Sequence, residues 1–177
     1  KSCSGRTNED AMPSRSPALS AVAENTADHA AIQQSLDTAR ETLGMEVAYL
    51  SEFMDSRAVF RAVSAPGLEA MIQPSQSMDL REVYCKHIID GNLPRLMPDT
   101  SRHKIATDLP ITQMIPIGSH LSVPVHRPDG SIFGMFCFLS RQPRPDLTED
   151  ALQLVETHSA LVASRLDSLG ETAPMPA

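Results

Sequence analysis

Aromatic residues and cysteines are scarce in this sequence of 177 residues. There is no Trp, and only two Tyr and five Phe are present, so the core must be built mainly from aliphatic residues and the nine Met. The three cysteines are widely separated and cannot all pair within one chain. Because no disulfide framework typical of secreted proteins is visible, we expect a reducing, cytoplasmic location.

Long apolar segments and an excess of positive charge are also absent. The longest apolar run, Ile132 to Leu139, is far shorter than the ~18 residues of a membrane-spanning helix, and the N-terminus has no apolar stretch typical of a signal peptide. The 15 basic and 22 acidic residues give a net charge of −7, which argues against a general nucleic-acid-binding protein. We therefore expect neither a membrane nor a nucleic acid as partner.

Short motifs for common cofactors are missing as well. The sequence contains no C-x-x-C, H-E-x-x-H, G-x-G-x-x-G or Walker motif, so we expect no cofactor and no metal. Its 41% apolar and 21% charged residues are typical of one globular domain. We predict flexible tails over 1–25 and 170–177, where prolines and serines interrupt every apolar pattern, and a domain over 26–169.

The spacing of apolar residues predicts an α+β domain. Ile32, Leu36, Ala39 and Leu43 lie on one face of a helix over Asp28–Leu43. We further predict, in chain order, strands over Val47–Phe53 and Ala58–Val63, a helix over Leu80–Asp90, a short helix over Ser101–Ala106, strands over Ser119–His126 and Ser131–Leu139 joined by a Pro-Asp-Gly turn, and a long helix over Glu149–Leu169. The segment 64–79 is interpreted as a loop.

This order of elements resembles a GAF domain. The resemblance is carried by Ser122-Val123-Pro124-Val125, by the following Gly130-Ser131-Ile132-Phe133-Gly134, and by the segment Gly91–Thr100. It implies a PAS-related antiparallel sheet of about six strands flanked by helices, with long N- and C-terminal helices. It also implies a sensory domain that is not an enzyme, binds a small molecule, forms a homodimer through its terminal helices and controls an output domain of a longer protein.

Residues typical of specialised GAF domains are missing at the matching positions. Thr107 and Asp108 stand where bilin-binding members carry a Cys-His pair, and Met114 stands where heme sensors place a His. Residues 107–118 contain no cysteine, which the methionine-sulfoxide-reductase branch would need there, and the N-K-x-x-F-D motif of cyclic-nucleotide binders is absent. The resemblance therefore favours none of these four activities.

The segment 86–104 is locally basic in an acidic chain, and in a GAF domain it would border the ligand cavity. Two interpretations stay open for its charges: recognition of an anionic small molecule, or a solvated loop. Asp99 could also cap a short helix, Met114 could belong to the core, and His120 and His126 share a strand face that is either cavity or solvent. The predicted ligand-binding residues are Tyr84, His87, Arg95, Asp99, Arg102, His103, Met114 and His120.

Cys85 and His87 form a second candidate cluster. Residues two apart on a helix point ~200° apart, so these side chains do not converge, and a metal would need another ligand such as His103. Cys85 could instead fill an apolar gap. Two alternatives to a ligand sensor therefore stay open: a ligand-free dimerisation or interaction module, suggested by Leu154 and Leu161 one heptad apart, and a redox or metal-dependent switch at Cys85.

Overall fold

The computed structural model describes residues 17–166, with side chains described from residue 27 onward. A six-stranded antiparallel sheet lies at its centre, with the strand order β3-β2-β1-β6-β5-β4. The strands are β1 (Val47–Met54), β2 (Arg57–Ser64), β3 (Ser77–Asp79), β4 (Leu96–Met97), β5 (Ser119–His126) and β6 (Ile132–Ser140). The helices are α1 (Pro17–Leu43), α2 (Tyr84–Ile89), α3 (Lys104–Asp108), α4 (Pro110–Met114) and α5 (Glu149–Ala163). The predicted α+β class and six-stranded antiparallel sheet are confirmed.

The long strands match the sequence prediction closely, whereas the short elements do not. β3 and β4 are only three and two residues long, too short to show an alternating pattern, and α4 was not predicted. The helix predicted over Leu80–Asp90 is divided into a 3₁₀ turn over Leu80–Glu82 and α2, because Val83 between them is extended at φ −116° and ψ 161°.

Both faces of the sheet are covered, and β1 shows how the sequence achieves this. Val47 and Tyr49 face a layer formed by α2, α3, α4 and the loops between them. Ala48 and Leu50 face the opposite layer, formed by α1 and α5. Successive side chains of a strand point to opposite faces, so one short apolar run contributes to both halves of the core.

A β-bulge between β1 and β2 changes which face each β2 residue takes. Leu50 lies opposite Ala62, and the next residue, Ser51, lies opposite Phe60, so Arg61 has no partner in the register. A bulge adds one residue to the strand, so the side chains beyond it point to the opposite faces from those that simple alternation would give. As a result Phe60 packs in the α2–α4 layer, whereas Ala62 packs in the α1–α5 layer.

The β5–β6 hairpin has the predicted turn. Gly130 has φ 85° and its N–H donates to the carbonyl of Arg127 at 2.9 Å. Pro124 lies beyond the two β5 residues that pair with β4, and its carbonyl accepts a hydrogen bond from Ser159 of α5 at 3.2 Å.

The terminal helices differ from the prediction in their ends. α1 begins at Pro17 rather than at Asp28, so it overlaps the tail predicted over 1–25. α5 ends at Ala163, and the predicted end at Leu169, like the C-terminal tail, lies outside the described residues. Within residues 17–166, no helix has the length and apolar character needed to cross a membrane.

Candidate functional site

A cavity of about 210 Å³ lies on the α2–α4 side of the sheet, between β2, β3 and α4. Its described lining contains no ionisable side chain. The lining residues are Phe60, Met71, Ile72, Gln76, Ser77, Met78, Ile111, Met114 and Ile115. Apolar walls with a few polar groups are typical of small-molecule sites.

The segment between β2 and β3 forms one wall because it folds back onto β2. The N–H of Phe60 donates to the carbonyl of Gln76 at 2.9 Å, and the N–H of Ser75 donates to the carbonyl of Phe60 at 2.8 Å. Ser75 has φ 71°, which turns the chain back towards the sheet. Met71 and Ile72 are thereby held over the cavity.

The opposite wall is α4, which a polar contact holds against α2. Pro110 starts α4 in its first turn, where the missing N–H costs nothing. The hydroxyls of Tyr84 and Thr112 lie 2.6 Å apart, and the Thr112 hydroxyl donates to the carbonyl of Ala106 at 2.6 Å.

Ile111 of α4 is buried, whereas Met114 is 57% exposed at the edge of the cavity. The core interpretation of Met114 is therefore wrong.

His120 lies in the core, not in solvent. It is 1% exposed, its ring lies 4.7 Å from that of Tyr84, and neither ring nitrogen has a hydrogen-bond partner among the described residues. Because burial removes water from the charged form, the pKa of His120 falls from 6.5 to about 3. The imidazole is thus neutral at physiological pH. His126, on the same strand, is exposed.

Cys85 is a buried residue of α2 and lies next to Cys137, a second cysteine, in β6. Its sulfur is 3.8 Å from that of Cys137 and 3.8 Å from the hydroxyl of Ser51. Both cysteines are free and fully buried. His87 lies apart from them, with Nε2 3.3 Å from the carbonyl oxygen of Arg81, as the helical geometry predicts. Among the described residues, no group of three or more His, Cys, Asp or Glu side chains could hold a metal ion.

The basic residues predicted for ligand binding lie away from the cavity. Arg102 is exposed and 3.6 Å from Asp99, and both line a surface groove of about 410 Å³ together with His103. Asp99 caps the following 3₁₀ turn by accepting a hydrogen bond from the N–H of Ser101 at 3.0 Å. Hydrogen bonds from the Ser101 hydroxyl and N–H hold the pKa of Asp99 below its usual range.

Arg95 lies on the α5 side of the sheet, where its guanidinium is 3.7 Å from the carboxylate of Glu156. It therefore lines neither the cavity nor the groove beside Arg102. The eight predicted residues therefore do not converge on one site. Met114 alone lines the cavity, while Tyr84 and His120 pack together in the core beside it.

Most cavity-lining residues were missed because they lie in the segment interpreted as a loop. Within residues 64–79, Met71, Ile72 and Met78 all line the cavity. Three large apolar residues in a segment without helical or strand periodicity are the signal that could have identified this wall, since a solvated loop would not need them.

The comparisons with known proteins agree on one family. Residues 26–167 match the family described as GAF domain. A search of curated proteins finds no relative that matches this sequence.

Solved structures show the same fold at low sequence identity. The GAF domain of an Acinetobacter phosphoenolpyruvate-protein phosphotransferase has a TM-score of 0.66 at 16% identity, covering 89% of this chain and 95% of that chain. The blue-light-absorbing form of the Thermosynechococcus elongatus PixJ GAF domain has a TM-score of 0.62 at 19% identity, covering 85% and 93%. A type II free methionine-R-sulfoxide reductase from Thermoplasma acidophilum has a TM-score of 0.61 at 12% identity, covering 81% and 94%.

These neighbours include a photoreceptor domain, part of a phosphotransferase and a reductase, so the fold alone assigns no single activity. GAF domains are generally sensory or regulatory parts of multidomain proteins that also carry output domains. The family match covers nearly all of the described residues, and the six-stranded antiparallel sheet flanked by helices agrees with that match. The chain therefore belongs to the GAF domain family.

Proposed function

We propose that this GAF domain is a non-catalytic sensory domain that binds a small, neutral, mainly apolar molecule in the cavity between β2, β3 and α4. The observation that carries the proposal is the lining of this cavity: seven apolar side chains with Gln76 and Ser77 as the polar members. Apolar walls bind apolar surface, while two polar groups are enough to orient a ligand.

The size and charge of the cavity restrict the ligand. Its volume of about 210 Å³ is below the roughly 300–1,000 Å³ of sites for drug-sized molecules, so the ligand is of fragment size unless the methionines move. An anion would lose its hydration here without gaining a cationic partner, which is unfavourable. The anionic ligand considered from the sequence therefore concerns the separate groove beside Arg102 and His103, where it stays a prediction.

β2 offers a path from the cavity to the terminal helix. Before the bulge, Phe60 lines the cavity. After the bulge, the carbonyl of Val63 accepts a hydrogen bond from Gln33 of α1 at 3.0 Å, and the hydroxyl of Ser64 accepts one from Arg40 of α1 at 2.8 Å. A ligand that displaces Phe60 would thus move β2, the strand to which α1 is hydrogen-bonded.

α1 and α5 would carry the signal out of the domain. Ser35 of α1 and His158 of α5 are joined by a 2.7 Å hydrogen bond. Leu161 of α5 is 49% exposed beside this contact, and we propose that a second copy covers it in a homodimer. The output domain and the cytoplasmic location expected from the sequence stay predictions.

A thermal-shift screen tests the ligand class. Neutral aromatic fragments and anionic metabolites are compared on the wild type, on Met71→Trp, whose indole occupies cavity space, and on Ile105→Ala. Ile105 is a matched control because it is 42% exposed on the neighbouring α3 and does not line the cavity. We expect neutral fragments to raise the Tm of the wild type and of Ile105→Ala, but not of Met71→Trp.

Three results would contradict this proposal. Hits that persist unchanged in Met71→Trp would place binding elsewhere, and anionic hits that disappear in Arg102→Ala would favour the groove. If neither library gives a hit and freshly purified protein retains no molecule in native mass spectrometry, the ligand-free interaction module is the better account.

A further inference from the structure

Two thiols that lie 52 residues apart in the sequence meet in the core. Cys85 comes from α2 and Cys137 from the central strand β6, and their sulfur atoms are 3.8 Å apart, in van der Waals contact. Both side chains are 0% exposed. Tyr49, Ser51 and Ser122 contribute hydroxyl groups to the same sheet face. Such a group of polar atoms is unusual in a core that is mainly apolar.

We propose that Cys85 and Cys137 form a reversible disulfide when the protein meets hydrogen peroxide, so that this pair is a redox modification site. The Cys85 sulfur attacks one peroxide oxygen, the O–O bond breaks, and a sulfenic acid and water form. The Cys137 sulfur then attacks the Cys85 sulfur, the S–S bond forms, and a second water leaves. Overall the two thiols lose two electrons and two protons, and the peroxide is reduced to two waters. A dithiol returns both thiols.

The two sulfurs have different roles in this reaction. The hydrogen bond with Cys137 lowers the pKa of Cys85, with smaller contributions from Ser51 and Tyr49. Burial raises the pKa of the Cys137 thiol well above its ordinary value. The thiolate is the nucleophile, so Cys85 is the sulfur that reacts first and Cys137 resolves the sulfenic acid.

Burial determines which oxidant can act. A molecule as small and uncharged as hydrogen peroxide can reach the sulfurs through brief openings of α2, which has only six residues and follows the extended residue Val83. Glutathione disulfide is too large for such an opening. The resulting bond would tie α2 to β6, and because Tyr84 of α2 holds α4 through Thr112, it would restrict the wall of the cavity.

Peptide mapping of the full chain tests the proposal. The Cys3→Ser protein serves as the background, since Cys3 would otherwise offer a third thiol. Folded, reduced protein is treated with hydrogen peroxide or with glutathione disulfide, remaining thiols are alkylated in denaturant, and trypsin releases residues 82–86 and 105–141, which carry the two cysteines. We expect peroxide to join these two peptides with the loss of two hydrogen atoms. Dithiothreitol should separate them, and glutathione disulfide should leave both thiols free.

Single variants assign the order of attack. In Cys137→Ser, whose hydroxyl can still hydrogen-bond to Cys85, the sulfenic acid on Cys85 has no resolving thiol and should be trapped by dimedone, whereas Cys85→Ala should give neither cross-link nor adduct. If a variant fails to fold, the peptide mapping of the Cys3→Ser protein alone shows whether the disulfide forms. The proposal is overturned if peroxide leaves both thiols alkylatable, drives Cys85 to a sulfinic acid without a cross-link, or joins the peptides only after the chain has been unfolded.

Discussion

The ring of Tyr84 lies edge-on to the ring of His120, with 4.7 Å between the ring centroids and 63° between the ring planes. The hydroxyl of Tyr84 forms a hydrogen bond with the hydroxyl of Thr112, but neither ring nitrogen of His120 has a hydrogen-bond partner among the described residues. The domain thus holds a neutral imidazole in its core, directly beneath the helix that anchors one wall of the cavity.

This burial predicts a pH-dependent stability. The pKa of His120 is about 3 in the folded protein and about 6.5 when unfolded, so between these values the unfolded chain binds one more proton. The free energy of unfolding should therefore fall as the pH falls from about 6.5 towards 3. Urea unfolding should show a loss of about 2 kcal/mol from this group between pH 7 and pH 5.

His120→Leu is the matched control for this measurement, since leucine fills much of the same space and does not titrate. The difference in stability between wild type and variant should shift in favour of the variant as the pH is lowered. A difference that stays constant between pH 7 and pH 5 would show that His120 is hydrated or paired in solution.

Gly134 should tolerate no side chain. A Cβ built there would lie 1.7 Å from the carbonyl oxygen of Ser51, so alanine would force β1 and β6 apart at the centre of the sheet. We expect Gly134→Ala to lower the free energy of unfolding by roughly 2–3 kcal/mol.

Gly91→Ala is the comparison for this glycine, measured by the same urea titration. Nothing lies within 4 Å of a Cβ at Gly91, although its φ is +79°, so only the backbone conformation is penalised, by about 1 kcal/mol. Equal losses for the two variants would mean that β1 and β6 do not approach as closely as described.

The long elements were predictable because their periodicity reports burial directly. On α5 the stripe Ala151, Val155 and Val162 is buried as the spacing indicates. Leu154 and Leu161, one heptad apart, lie outside this stripe, since Leu154 is half-buried and Leu161 is exposed.

The candidate site was much less predictable, because it depends on contacts between distant segments. The prediction of the basic residues near Arg102 rests on their charge and on the expected position of that segment, but no periodicity shows which way an irregular segment faces. The bulge at Arg61, which turns Phe60 towards the cavity, appears only in the pairing of β1 with β2. The contact between Cys85 and Cys137 likewise depends on how α2 packs on the sheet.

Leu161→Glu tests the proposed homodimer. If a second copy covers Leu161, which is 49% exposed, a buried carboxylate would oppose association, and the variant should sediment as a folded monomer. Gln153→Glu is the control, because residue 153 is exposed on the same helix and the substitution adds the same charge. A wild type that is already monomeric at high micromolar concentration would contradict the homodimer.

Methyl NMR of the nine methionines tests the cavity most directly. Met71, Met78 and Met114 line it, whereas Met45 and Met135 are buried elsewhere in the core. Protein labelled with ¹³C at the methionine methyls is titrated with a neutral aromatic fragment taken from the thermal-shift screen. The account predicts saturable shifts of the Met71, Met78 and Met114 signals with little change at Met45 and Met135. Shifts confined to methionines outside the cavity, or none at all under saturating fragment, would contradict it.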